Sequence, residues 1–246
     1  MTEVSIELVP RSLASLDAEL RTISERFPSV RTVNVPDLLR FPLRSWDACA
    51  HARQTLPVAI PHLRAMDFAP DAPFALREKL AAAGIDTVLV VTGDPPQDLG
   101  HRVHPTGPVA LIRRIKREAP ELTVYAGFDP YRSGVRDELA YLEAKRDAGA
   151  DGFLSQPFFD LRLLDVWSEL LAGDRVFWGV SPVLSARTRS YWETKNRAFF
   201  PADFAPTLAW SRDFAARALA WARAGDTNLY FMPIRVDLET WLGGIL

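Results

Sequence analysis

AAGIDTVLVVTGDPP, residues 82–96, holds the repeating unit of the whole chain in fifteen letters. A helix ends on alanines and a glycine. A β-branched run then follows, and it stops abruptly at Thr92-Gly93-Asp94 before two prolines. Glycine just after a helical stretch supplies the left-handed turn that ends it. The centre of the run DTVLVVT, Val88 to Val91, is wholly apolar, as a strand covered on both faces should be. The same helix-stop and strand succession recurs at AGADG (148–152) and ARAGDTN (222–228).

Working outward, eight strand-like runs appear, at 4–9, 31–35, 56–63, 86–92, 122–128, 152–158, 175–181 and 227–233. Amphipathic helical patterns separate them, for example over 13–26, 73–83, 109–118, 134–148 and 161–171. Eight alternating β and α units point to a parallel sheet, and a single (β/α)8 TIM-type barrel over 1–246 is its simplest closure. A doubly wound open sheet is the competing topology. The longer irregular stretches, near 36–45, 94–107 and 128–133, each follow a strand, where barrel loops line the ligand face.

Composition is that of an ordinary globular chain: 246 residues, 48% hydrophobic, 24% charged, formal net charge -2. That balance gives no reason to expect nucleic acid or an anionic membrane as partner. The single cysteine, Cys49, cannot close an internal disulfide, the N-terminus does not read as a secretory leader, and no apolar run is long enough to span a bilayer. A cytoplasmic location is expected.

Polar residues at strand ends need a reason. Glu7 stands between Ile6 and Leu8. It points to solvent, pairs with an arginine, or is put to use with a raised pKa. His62 is a hydrogen-bonded packing residue or a site residue, and Asp94 caps the loop amides or faces a ligand. Gln156 braces a loop or meets the edge of a heterocycle. Lys145 complements its helix dipole or binds an anion. Arg187, Arg189 and Arg197 grip an anion or form a solvated helix face. Asp160 reads as an N-cap, and Cys49 as packing. No G-x-G-x-x-G, P-loop, H-E-x-x-H or C-x-x-C occurs, and no metal site is expected.

In order along the chain, SIELVP, PHLRAMD, VVTGDPP, KRDAGADGFLSQPFFD, WGVSPV and LYFMPIRVDL together resemble the methylenetetrahydrofolate reductase family. The resemblance implies hydride transfer from NADH or NADPH that interconverts 5,10-methylenetetrahydrofolate and 5-methyltetrahydrofolate, in one-carbon metabolism and methionine biosynthesis. It implies that Glu7 promotes protonation at N10 of the folate and that Asp94 supports the developing cation. Gln156, Phe158, Trp192 and Arg235 would lie against the folate. Cofactor contacts would fall to His62, Thr92, Gly93, Ala126, Phe128 and Lys145. Members that hold FAD usually have an arginine at the place of Thr92, a tyrosine at that of Phe128, and an asparagine and an arginine at those of Tyr141 and Ala144. These departures favour direct use of NAD(P)H, with FAD as the alternative cofactor. The partner implied is tetrahydrofolate, with self-association into a homo-oligomer left open. A folate-binding subunit without catalysis is the competing function.

Overall fold

The structure, a computed structural model, describes residues 2–95 and 101–246. The elements run β1 (Val4–Glu7), α1 (Leu13–Arg26), β2 (Thr32–Val35), α2 (Ser45–Ala52), β3 (Val58–Arg64), a 3-10 turn (Ala65–Asp67) and α3 (Arg77–Ala82). Then come β4 (Thr87–Val91), α4 (Pro108–Glu118), β5 (Thr123–Phe128), α5 (Val135–Asp147), β6 (Gly152–Phe158) and α6 (Leu161–Leu170). The chain ends with β7 (Val176–Val180), α7 (Ala186–Lys195), α8 (Leu208–Ala224), β8 (Asn228–Phe231) and α9 (Leu238–Leu242). All eight strands pair in parallel with their sequence neighbours, and β8 pairs with β1. The sheet is therefore a closed barrel, which decides between the two topologies. No described helix is long and apolar enough to cross a membrane.

Local chemistry sets the helix ends. Ser12, Asp160, Ser185, Thr207 and Asp237 each accept a backbone N–H as N-caps. Gly84 and Gly149 take positive φ after α3 and α5 as their sequence setting implies. After α8 the expectation fails: Gly225 has φ -88, and Asp226 takes the left-handed position instead, at φ 46. Asp and Asn tolerate that region better than other side chains. Helix α3 is also shorter than the 73–83 pattern, because Phe74 leaves the helix and gives its N–H to Glu118 at 2.7 Å.

Strand parity divides the core. Outward residues such as Val33, Val90, Ala126, Phe128 and Phe231 pack under the helices. Inward residues Ile60, Leu89, Tyr125, Leu154, Phe177 and Tyr230 form a separate apolar plug across the middle of the barrel. Two bulky tyrosines fit because their neighbours are glycines. A Cβ at Gly152 would come within 2.4 Å of Arg175 O and 2.7 Å of the Tyr125 ring, and one at Gly179 within 2.8 Å of the Tyr230 ring. Below the plug, Glu3 accepts from Thr32 Oγ1 at 2.5 Å and from Arg175 Nη2 at 3.1 Å.

Backbone cannot move aside as a flexible side chain can. Gly152→Ala is expected to lower stability by about 1–3 kcal/mol, the usual range for overpacking a tight core. A denaturant titration checks it; an unchanged midpoint would show that the β6–β7 contact yields freely.

Candidate active site at the barrel mouth

Glu7 is the last residue of β1 and shares its inner parity with Ser5 and Glu3. It is 6% exposed, and its carboxyl makes no hydrogen bond or ion pair among the described residues. Burial alone pushes its pKa from the ordinary 4.5 up to about 8. The group therefore carries its proton at neutral pH. Of the three sequence readings, neither solvent exposure nor an arginine partner is what the structure holds.

On the neighbouring strands, Asn34 donates to Ser5 Oγ and pairs with His62 Nε2, both at 2.9 Å. Burial lowers the His62 pKa to about 3, against a small opposing pull from the Asp37 carboxylate, so the ring is neutral. Ser45 Oγ donates to the His62 carbonyl at 2.7 Å. Asp37 in turn accepts from Arg44 Nε and from the Ser45 N–H, each at 3.0 Å.

An ionic chain continues along the ends of β2, β3 and β4. Arg44 lies 3.2 Å from Asp67, and Asp67 lies 3.4 Å from Arg64 Nε. Arg64, 6% exposed, gives Nη2 to the carbonyl of Asp94 at 2.7 Å. Gly93 makes this approach feasible. It has φ +90, and a Cβ there would sit 3.0 Å from Arg64 Cβ and Nε. The Asp94 side chain is exposed on the rim, and its loop runs into residues 96–100, which lie outside the described residues.

The expected cofactor residues on or beside β4, β5 and α5 are engaged with other parts of the chain. Lys145 donates to Gly127 O at 2.6 Å, lies 3.8 Å over the Tyr141 ring, and has its pKa lowered by burial to about 8. Tyr141 interacts with the Thr92 hydroxyl. Ala126 and Phe128 face outward, and Phe128 packs edge-on to Trp167 at 4.7 Å.

Across the mouth, Gln156 is half-buried at an irregularity of the β6–β7 register between Leu154 and Pro157. Bulges of this kind re-aim side chains beside functional sites. Tyr230 Oη donates to Ser155 O at 2.6 Å beneath it. Above the ends of β6–β8, Phe159, Trp192, Phe200 and Phe204 form an aromatic cap joined to the plug through Met232. Trp192 is 3% exposed and packs edge-on against Phe159, so its faces are already covered. Phe158 is buried in the outer core with Phe128 and Trp178. Arg235 is exposed with φ 56. In the arginine cluster, Arg189 bonds Glu193 at 2.9 Å and lies over Phe200 and Phe204, Arg197 donates to Arg132 O, and Arg187 is exposed.

The strand ends thus bring Glu7, His62, Gly93, Asp94 and Gln156 to one face of the barrel, while Ala126, Phe128, Phe158 and Trp192 serve packing. Sequence reasoning overlooked Asn34, Arg64 and Tyr230. Inner parity was the available signal, since each lies two residues from another inward position on its strand. Among the described residues, no cluster of His, Cys, Asp or Glu could hold a metal ion.

The sequence model of a family described as methylenetetrahydrofolate reductase matches residues 44–206. No curated protein sequence matches the chain. Among solved structures, the fold is similar to that of an uncharacterized protein from Clostridium thermocellum that binds two copies of 5-methyl-5,6,7,8-tetrahydrofolic acid. The TM-score is 0.65 at 12% identity, covering 98% of this chain and 93% of that one. It is also similar to 2,3-dimethylmalate lyase, of the PEP mutase/isocitrate lyase superfamily (TM-score 0.59, 12% identity, 96% and 75% covered). An oxaloacetate acetylhydrolase gives a TM-score of 0.55 at 16% identity, with 92% and 82% covered. At such identities the likeness is one of fold.

The raised Glu7 pKa makes a stability prediction. The folded state binds this proton more tightly than the unfolded state, so the contribution is fully present below pH 4.5 and is lost as pH rises through about 8. Glu7→Gln should therefore gain stability relative to the parent protein between pH 5 and pH 8.5, by several kcal/mol at about 1.4 kcal/mol per unit. Urea unfolding of both proteins at the two pH values measures it; a constant difference would mean that Glu7 ionises normally.

Proposed function

The chain belongs to the methylenetetrahydrofolate reductase family, and we propose that it interconverts 5,10-methylenetetrahydrofolate and 5-methyltetrahydrofolate, with NAD(P)H passing its hydride directly to the folate. The observation that carries this reading is the protonated, unpaired Glu7 over the apolar plug. Reduction requires the five-membered folate ring to open, and opening requires an acid at N10. Glu7 gives its proton to N10 as the carbon–N10 bond breaks, leaving an iminium at N5. A hydride then closes the iminium carbon to a methyl group, and NAD(P)+ leaves. Solvent returns the proton to Glu7.

Gln156 offers a donor and an acceptor to the pterin edge. Asp94, exposed on the facing rim, stabilises the developing cation. The remaining contribution is positioning, since donor and acceptor carbons must be held in contact.

The side chains at the positions that the resemblance gives to a flavin are engaged elsewhere, which supports direct transfer. Lys145 is committed to Gly127 O and Tyr141, and Tyr141 to Thr92. Ala126 and Phe128 face away from the interior. No step is therefore assigned to a flavin. A buried, unreactive Cys49 fits a reducing cytoplasm, where we place the protein.

Fold likeness to the Clostridium thermocellum protein favours one competing reading, a barrel that binds folate without reducing it. That reading gives no task to a buried acid, since binding alone does not need one.

An absorbance spectrum followed by NADH oxidation with and without methylenetetrahydrofolate tests the proposal. A colourless protein that oxidises NADH only with the folate is the expected outcome; flavin bands would overturn direct transfer, and folate binding without oxidation would favour the binding protein. Glu7→Gln should lower kcat about 100-fold or more, the scale of general acid catalysis, with folate affinity nearly unchanged. Gln156→Ala should raise the folate Kd about tenfold. An effect of that change on NADH alone would reverse the assignment.

A further inference from the structure

Ser5, Asn34 and His62 stand on the inner faces of β1, β2 and β3, and all three are buried. In the structure the Asn34 amide turns its Nδ2 to Ser5, donating to Oγ at 2.9 Å. Only its carbonyl oxygen then faces the imidazole, 2.9 Å from Nε2. Two acceptors cannot bond each other, so Nε2 carries the hydrogen and Nδ1 keeps its lone pair. No hydrogen bond from the described residues reaches Nδ1. Nor is it sealed off, unlike the Tyr125 hydroxyl and the Trp192 indole nitrogen, which are fully buried without partners.

We propose that Asn34 is a positioning residue that holds His62 in the Nε2–H tautomer, making Nδ1 a fixed hydrogen-bond acceptor for an N–H donor of the bound ligand. This deepens the reading of the mouth as a ligand site and rests on it. An amide or an amino group on a heterocycle suits such an acceptor, whereas a carbonyl placed there meets lone pair with lone pair. Both proposed ligands carry such donors, the nicotinamide its carboxamide and the pterin its amino group. The charged groups around the ring do not displace this state. Asp37 is the carboxylate His62 feels, and it is bound by Arg44. Glu7 lies beyond Asn34 and is protonated, Arg64 is engaged with Asp94 O, and α2 offers Ser45 only to the His62 carbonyl.

The test begins with nitrogen NMR of the histidine-labelled free protein, where four histidines keep assignment simple. His62 should show a protonated Nε2 and a bare Nδ1 unchanged from pH 6 to 8. Protonation on Nδ1 would overturn the proposal whether or not the protein reduces folate, so this failure is separable from that of the reductase reading. Asn34→Asp keeps an oxygen for Nε2–H but sets a carboxylate beside the ring, which favours the imidazolium and turns Nδ1 into a donor. KM for one ligand should then rise about tenfold at low pH and recover as pH increases, with kcat little changed. The ligand whose KM moves, NADH or the folate, is the one His62 contacts. A profile parallel to that of the parent would sink the idea. Should that variant not fold, Ser5→Ala frees the amide to turn and should give a mixture of His62 tautomers; a single unchanged tautomer there would count against it.

Discussion

A carboxyl group cannot be carried into an apolar barrel unless it meets a cation or keeps its proton. At Glu7 the protein keeps the proton. The plug of Ile60, Leu89, Tyr125, Leu154, Phe177 and Tyr230 excludes water from below, and among the described residues no arginine or lysine pairs with Glu7. Much of the remaining mouth is consistent with protecting that condition. Lys145 is drawn away to Gly127 O, and Arg64 and Arg44 are held by Asp94 O, Asp67 and Asp37. A free cation near Glu7 would restore an ordinary carboxylate.

The plug itself depends on small residues. Tyr125 and Tyr230 fill the centre because Gly152 and Gly179 leave their space open, and Tyr230 anchors to the Ser155 carbonyl just where β6 loses register with β7. Packing at the centre and the presentation of Gln156 at the rim are thus parts of one local arrangement. The tyrosine and threonine at the positions that the resemblance gives to flavin contacts follow a similar logic. Tyr141, Thr92 and Lys145 satisfy one another, so that region is filled by the chain's own side chains.

Much of this was legible in the sequence. The eight apolar runs with glycine after the helices gave the barrel, because strands covered on both faces need little else. Glu7 was conspicuous between Ile6 and Leu8. What no one-dimensional reading supplies is pairing across strands. Whether an arginine meets Glu7, or which side chain orients His62, depends on residues brought together by barrel closure, as Ser5, Asn34 and His62 are. Parity would have turned Phe128 outward, since Tyr125 and Gly127 face in. Parity fails for Phe158, because the register shift after Leu154 breaks the alternation. Asp226 was hidden for another reason: a glycine beside it looked the better turn residue, but the helix runs one residue further, Gly225 caps it, and Thr227 N–H closes the last turn onto Ala222 O.

The two walls of the mouth are made of different materials. Toward β2–β4 it is an ionic chain from Asp37 through Arg44 and Asp67 to Arg64; toward β6–β8 it is the aromatic cap of Phe159, Trp192, Phe200 and Phe204. Being largely buried, the first is screened little by salt, while the apolar association of the second weakens on cooling. A ligand seated between them would therefore feel the aromatic wall loosen in the cold while the ionic wall keeps its form, so temperature relaxes one side of the opening and not the other.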